Sequence, residues 1–494
     1  MKKFETKHQL IPGNLKRTFV VAAVFHILFT AFIYFLGSAE AVPGMLNPQG
    51  VGEFASDGDR YLQEITSLVE ILRSSGVIAF VQASGKFHTK LYAISFALLH
   101  QTVGFTILGA ELVNLAAYLG ILGLVYTLGR EIFHPKVGLF SVWIVGLWPS
   151  FLLYTTQLYK TPLFIVVFLA LVLSAVQFLS SGQNIKRIAI HCMVGLFAIV
   201  VLWLIRNEWW MLFTGMLLLL ILCLVAQIVI ERRLLVWKMI AAILLLLAAL
   251  GIQKYAPDII YSAYSGEIRF STEYRVEERN LGVFAKLSPS VTISFPNEFS
   301  LIPLPNISWG ENHAIGWLDV LLEKLLKKID AFAFQLGQQR YGFASINTAG
   351  SNIEEEYDIR NAKDLLRFLP RAFTIGLFSP FPNMWFSGGA KLGLSARLLS
   401  GLETLFMYGI YGLSIAGLWR TRRELRAWYL VAVSLMGMLA LGLVITNIGA
   451  LYRFRYSFWM IIIVFGVGGY KVVAYPFIRN VLQRFSRSQS ECIP

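Results

Sequence analysis

Residues 158–180 read LYKTPLFIVVFLALVLSAVQFLS, and no charged side chain follows Lys160 until Lys186. About 20 mostly apolar residues is the length an α-helix needs to cross the hydrocarbon core of a bilayer. Runs of this kind recur near 18–37, 108–129, 137–154, 158–180, 188–205, 209–230, 234–252, 398–419, 427–446 and 456–475. Read as spans they give ten crossings, with both termini on the same side. Composition agrees, because the 494 residues are 56% hydrophobic and 15% charged. Soluble domains carry roughly 45–50% apolar and about 25% charged residues. Intrinsic disorder, a collagen-like chain and a small disulfide scaffold are excluded on the same grounds. The fold class is an all-α polytopic membrane protein of about ten transmembrane helices.

The formal net charge is +14, and its position decides what it means. Segments 1–17, 130–136, 181–187, 231–238, 420–426 and 471–494 together carry +15, so everything else nets −1. These segments alternate along the chain, as cytoplasmic loops do under the positive-inside rule. The expected location is the plasma (bacterial inner) membrane, with both termini cytoplasmic. No basic surface is left over for a nucleic acid.

The organisation expected from this reading has six parts: a cytoplasmic N-terminus with the first helix (1–37), a first extracytoplasmic loop (38–90), helices two to seven (91–252), a large extracytoplasmic domain (253–397), helices eight to ten (398–475) and a cytoplasmic tail (476–494). The first span, 18 or so apolar residues before Ala39-Glu40-Ala41, is longer than a removable signal and reads as an uncleaved anchor. The large domain holds 15 basic and 15 acidic residues and is expected to be a mixed fold. Within it, Trp317–Leu326 has helical apolar spacing, either as a core helix or as an interfacial one. Leu365–Phe386 is apolar but interrupted by Pro370, Pro380 and Pro382, which suits a re-entrant or surface-lying segment better than a span.

Cys192 and Cys223 fall in apolar runs and Cys492 in the tail, so none staples an outer loop. No C-x-x-C, Walker loop or G-x-S-x-G is present. The most informative polar stretch is Ser56-Asp57-Gly58-Asp59-Arg60-Tyr61, just beyond the first span. A glycine between two carboxylates permits a turn that aims both at one cation or one hydroxyl; the competing reading makes one aspartate a helix N-cap. Glu111 and Glu403 read as acids that hydrogen-bond between helices, and His26 and His191 as histidines paired with a neighbour.

Asp57-x-x-x-Tyr61, placed in the first outer loop, resembles the D-E-x-x-Y motif of GT-C-fold membrane glycosyltransferases. That family includes the protein O-mannosyltransferases and the bacterial aminoarabinose transferases. The similarity runs on through His88-Thr89-Lys90-Leu91-Tyr92, Leu112-Val113-Asn114, Val125 to Phe133, Trp148-Pro149-Ser150 and Leu158 to Leu163. It covers roughly residues 15–215, with Arg453-Phe454-Arg455-Tyr456 a weaker match. Thr89 and Lys90 stand where the family has prolines, and Lys160 where members often have Asp or Glu.

The resemblance implies transfer of a sugar from a polyprenyl-phosphate donor. Asp57 would act as general base, Asp59 as the offset second acid, and Tyr61 and Glu208 as acceptor or loop support. The outward cations Lys160, Arg206, Arg453 and Arg455 would hold the lipid phosphate. Arg453 and Arg455, two apart in an extended stretch, would share a face. The expected partners are a polyprenyl-phosphate-linked sugar and membrane lipid, with the acceptor open. No cofactor is required by these residues, and a divalent cation stays open. An O-antigen-type polymerase or ligase and a lipid-glycan flippase are the alternatives.

The topology has a direct test. In a membrane-impermeant thiol-labelling assay on intact cells, Ser300→Cys is expected to react and Glu424→Cys is not. Labelling of Glu424→Cys alone would invert the assigned sidedness.

Overall fold

The structure, a computed structural model, describes residues 13–52, 57–182, 184–263, 317–346, 352–386 and 393–490. Sixteen α-helices follow one another in this part of the chain: α1 (Gly13–Ser38), α2 (Asp57–Ser74), α3 (Gly76–Gln82), α4 (Phe87–Val103), α5 (Glu111–Ile132), α6 (Pro135–Gly146), α7 (Pro149–Thr155), α8 (Lys160–Ser180), α9 (Ile185–Arg206), α10 (Trp210–Glu231), α11 (Val236–Ala263), α12 (Trp317–Ile346), α13 (Ala362–Phe378), α14 (Leu394–Thr421), α15 (Leu425–Val444) and α16 (Ile448–Ser490). Among the described residues extended pairing is limited to two isolated bridges, Leu46–Gly52 and Asn352–Asn447. This is a polytopic helical membrane protein.

Among the described residues eight segments are long and apolar enough to cross a membrane, and nine if the bent pair α6 and α7 counts as one. The ten crossings expected from sequence are therefore not ten helices of spanning length. One reason is that Ile185–Glu231 runs as a single apolar segment of 47 residues. At 1.5 Å per residue that is about 70 Å, more than twice the hydrocarbon thickness. It contains two of the expected spans, α9 and α10. Arg206, at φ −150° and ψ 74°, breaks the helix ahead of a 3-10 turn at Asn207–Trp209. His191 and Gly195 of α9 line the same small crevice as Met216 and Leu220 of α10, so the two helices fold back on each other.

The second reason is a correction to the expected span 137–154. Here α6 and α7, of 12 and 7 residues, meet at an angle of 73°. Pro149 opens α7 without a backbone N–H, and the preceding Trp148 is pushed to extended geometry at ψ 115°, as residues before proline are. The break is tied to two other helices. Glu403 of α14 accepts from the Ser150 backbone N–H at 2.8 Å and from Tyr452 of α16 at 2.6 Å, and from the Ser150 hydroxyl. The other acid singled out in an apolar run, Glu111, accepts from Thr30 at 2.8 Å and sits 2.8 Å from His26 Nδ1.

The large segment 253–397 departs from a mixed domain in its described part. Its described elements are helical, and α11 runs on to Ala263. Residues 264–316 lie outside the described residues. Helix α13 does not stand apart from the bundle. It runs antiparallel to α15, where a methyl group added at Gly376 would overlap Met438 O and one at Gly442 would overlap Ala372 O. Its C-terminal end thus lies alongside the apolar segment of α15, and the chain turns back through a cis Ser379–Pro380 bond before α14 begins.

The two ends of the bundle differ in character. Arg426, after the α14–α15 turn, donates to Ser180 Oγ at the end of α8 (3.1 Å), and Lys238 at the start of α11 donates to Leu179 O (2.9 Å). The basic turns therefore gather at one end. The opposite end carries α2 to α4 over the start of α8, the α9–α10 turn and the start of α16.

The α13–α15 contact is close enough to be tested. Gly442→Ala or Gly376→Ala is expected to cost about 1–3 kcal/mol through overpacking, read as a lower melting temperature of the detergent-solubilised protein. An unchanged melting temperature for both would contradict the packing described.

Candidate functional site

The positions that meet at the end of the bundle opposite the basic turns come from five separate parts of the chain. Asp57 and Tyr61 open α2, one helical turn apart and on one face. Gly58 between them is in the helix, not in a turn. Its missing side chain lets the first turn of α2 press against Gly52 O and Val51. The 47–52 turn is fixed by Asn47 Oδ1, which accepts from Val51 N at 2.8 Å, and by Gln157 Oε1, which accepts from Gly52 N at 2.7 Å. Gln157 belongs to the link between α7 and α8, so this bond ties the 47–52 turn, against which α2 packs, to the start of α8. Tyr92 repeats the tie, donating to Asn114 Oδ1 at 2.7 Å and Tyr159 O at 3.1 Å. Glu64 clips α2 to α4 by accepting from Lys86 N (2.9 Å) and Thr89 Oγ1 (2.7 Å).

On this frame Asp57 lies 3.5 Å from Nη2 of Arg453, with its side chain 42% exposed. Arg453 itself is buried, stacked over Tyr159 at 4.6 Å and Phe454 at 5.0 Å. Arg206, at the end of α9, is 2% exposed and sits among Phe454 (4.0 Å), Trp209 (5.2 Å) and Phe164 (5.4 Å). Glu208 accepts from Lys160 at 3.0 Å and from Arg206 at 3.5 Å. The local pairing of Arg206 with Glu208 is therefore real but incomplete. Nε and Nη2 of Arg206 and Nε of Arg453 are buried with no hydrogen-bond partner among the described residues.

Two neighbours were not singled out from the sequence. Lys86 lies 5.3 Å over the Tyr61 ring, and His88 meets that ring edge-on at 4.8 Å. Burial, with Lys160, Lys86 and Arg206 nearby, holds His88 well below the ordinary histidine range, so it is neutral at pH 7. Its Nε2 is buried with no partner among the described residues. Burial also lowers Lys86, with Arg60 adding to the shift and Glu64 and Asp57 opposing it. Tyr61 moves the other way: burial and the Asp57 carboxylate push its phenol up, so it stays protonated. The sequence signal for His88 was its place at the head of the His88–Tyr92 stretch, and Lys86, two residues before it, had none.

Two expected members do not join this group. Asp59 is two residues from Asp57 on a helix, about 200° around its axis, and accepts from Asn47 Nδ2 at 2.8 Å in solvent. The pair of aspartates therefore does not converge on one cation. Arg455 is the second correction. The stretch 453–455 is not extended, because α16 begins at Ile448, and residues two apart on a helix face away from each other. Arg455 donates to Leu377 O at 3.1 Å and to Ser379 O. With Tyr411, which donates to Leu377 O at 2.9 Å, it satisfies the C-terminal carbonyls of α13. It is a helix cap buried in the bundle.

The resulting electrostatics are unbalanced. Lys86, Lys160, Arg206 and Arg453 face the carboxylates of Asp57 and Glu208, leaving two positive charges over. Buried guanidinium N–H groups without partners are costly, and an anionic group of a ligand would satisfy both the charge and the donors. For a metal the arrangement is poor: among the described residues no three His, Cys, Asp or Glu side chains are grouped to hold one. No protein-family description matches the chain, and no curated protein matches it.

The anion-binding reading predicts that Arg206→Met weakens binding of an isoprenyl phosphate about 10- to 100-fold, the equivalent of losing one or two charged hydrogen bonds. Equal affinity in the variant, measured by titration in detergent, would remove Arg206 from the site.

Proposed function

We propose that this chain is a membrane glycosyltransferase of the GT-C type. It moves a sugar from a polyprenyl-phosphate donor to an acceptor on the extracytoplasmic face of a bacterial inner membrane, in the synthesis of a cell-envelope glycan or glycolipid. The observation that carries the reading is the juxtaposition of a half-exposed carboxylate, Asp57, with the buried and incompletely paired Arg206 and Arg453. A base and an anion cradle side by side at a membrane boundary are what transfer from a lipid phosphate needs.

In this mechanism the acceptor hydroxyl attacks the anomeric carbon and Asp57 takes its proton. The bond between that carbon and the phosphate oxygen breaks, and its electron pair leaves with the phosphate. The leaving group gains one negative charge as it becomes a monoester. Arg206, Arg453, Lys160 and Lys86 meet that charge with donors already in place, which favours the transition state over the ground state. Arg453, 3.5 Å from Asp57, holds the carboxylate at the edge of the cation group, where the acceptor hydroxyl would meet it. Tyr61, kept protonated, offers a neutral donor to the acceptor or the sugar. Glu208 holds Lys160 and Arg206 in position.

The transporter alternative would draw on polar groups within the spans. Glu111 and Glu403 are such groups, but their oxygens are engaged in the bonds to Thr30, His26, Ser150 and Tyr452 that join helices.

The decisive variant is Asp57→Asn. It is expected to lower sugar transfer by about 10²- to 10⁴-fold, the usual contribution of a positioned base, while expression, membrane insertion and binding of the donor persist. Full transfer by Asp57→Asn would sink the catalytic assignment.

A further inference from the structure

Helix α3 has seven residues, and three of them are large apolar side chains left bare: Val77 at 67%, Ile78 at 76% and Val81 at 53% exposure. Two more, Ile94 and Leu98, lie one turn apart on α4 and are also exposed. Lys90, one turn before Ile94 on the same face, donates to Val81 O at 2.7 Å, which places α3 beside that face of α4. None of α2, α3 and α4 qualifies as a membrane span, so crossing the bilayer does not account for this exposure. A contiguous apolar patch of this kind on an otherwise folded unit marks an interaction surface.

The unit is two-sided. Its own core is made by Tyr61, Ile65, Leu68, Val69, Phe80, Tyr92 and Phe96. What α2 leaves exposed is polar: Asp59, Gln63, Ser67 and Glu70. What α3 and α4 leave exposed between Val77 and Leu98 is apolar apart from Gln82, with Arg73 before it on α2, Lys90 on α4, and Gln101 and Thr102 following at the end of α4. Both ends of the unit are tethered to spans. It leaves α1 at Ser38 and re-enters α5 at Glu111, with only seven residues between the end of α4 and the start of α5. It is therefore held at the level where the bilayer begins.

We infer that α3 and the Lys90–Leu98 face of α4 are seated in the headgroup–acyl boundary of the membrane leaflet at this end of the bundle. The occupant of the patch is lipid. Val77, Ile78, Val81, Ile94 and Leu98 enter the apolar layer, while Arg73 and Lys90 meet lipid phosphates at its edge, as in interfacial amphipathic helices. Seating the unit fixes the height of Tyr61, Lys86 and His88, which it carries, relative to the lipid phosphates of the same leaflet. The inference does not depend on the glycosyl-transfer reading.

The test uses the full chain in lipid nanodiscs, in a Cys192→Ala, Cys223→Ala, Cys492→Ala background with a nitroxide label at Ile78→Cys. Leu98→Cys probes the patch from the neighbouring helix, and Ser67→Cys reports the polar side. Collision with oxygen, which concentrates in lipid, is compared with collision with a water-soluble nickel chelate. At 78 and 98 oxygen accessibility is expected to exceed nickel accessibility several-fold, with the order reversed at 67. Nickel accessibility at 78 and 98 equal to that at 67 would show the patch in water. Exclusion of both reagents would show it covered by protein, such as segment 264–316, and either result overturns the inference.

Discussion

The structure turns on a guanidinium that has been taken out of water without being fully paired. Arg206 is wrapped by Phe164, Trp209 and Phe454, and Glu208 reaches it at 3.5 Å while also holding Lys160. Such a group costs several kcal/mol unless its donors find acceptors. It persists because the break between α9 and α10 and the aromatic rings around it leave it no other place to go. Arg453 repeats the arrangement from α16, with Asp57 as its partner at the rim. The elements that bring these residues together, the 47–52 turn, Gln157 and Tyr92, are tied by hydrogen bonds and are not free loops. These incompletely satisfied cations are what the proposed function reads as a cradle for an anion.

The same helix shows how differently two neighbouring arginines are used. Arg453 and Arg455 leave α16 on opposite sides. One faces the rim and the Asp57 carboxylate, and the other enters the bundle to cap α13. A half-helix that ends beside apolar spans has carbonyls that lipid cannot satisfy, and a cation at a helix C-terminus also complements its dipole. Glu403 does the converse job at the start of α7, accepting from the Ser150 N–H where the helix restarts after a 73° bend. These interior charges explain how a bundle with two broken elements stays closed, without assigning them any chemistry.

Much of this was legible in the sequence and some of it was not, for physical reasons. Apolar runs of spanning length announce themselves because lipid tolerates little else, and the basic turns marked one end of the bundle. Asp57 and Tyr61 were singled out as a motif, but the shared face comes from α2 starting at Asp57, where a glycine turn or a cap was expected. The bend at Trp148–Pro149 was hidden because hydropathy is blind to a kink inside an apolar run. Arg455 was misplaced because the start of α16, at Ile448, lies among residues whose polarity suggested a loop. Lys86 and His88 were missed because their proximity to Arg206 is a tertiary fact, created when Glu64 pins α4 to α2. Asp59 looked like Asp57's partner in sequence, and helical geometry turned it into solvent.

The most direct measurement is a cryo-EM reconstruction of the protein in nanodiscs supplied with an isoprenoid phosphate. The account predicts phosphate density within hydrogen-bond reach of the Arg206 and Arg453 guanidinium groups, with the isoprenoid chain leading away into lipid. Well-resolved lipid phosphate at any other place, with these two guanidinium groups facing only protein, would contradict it.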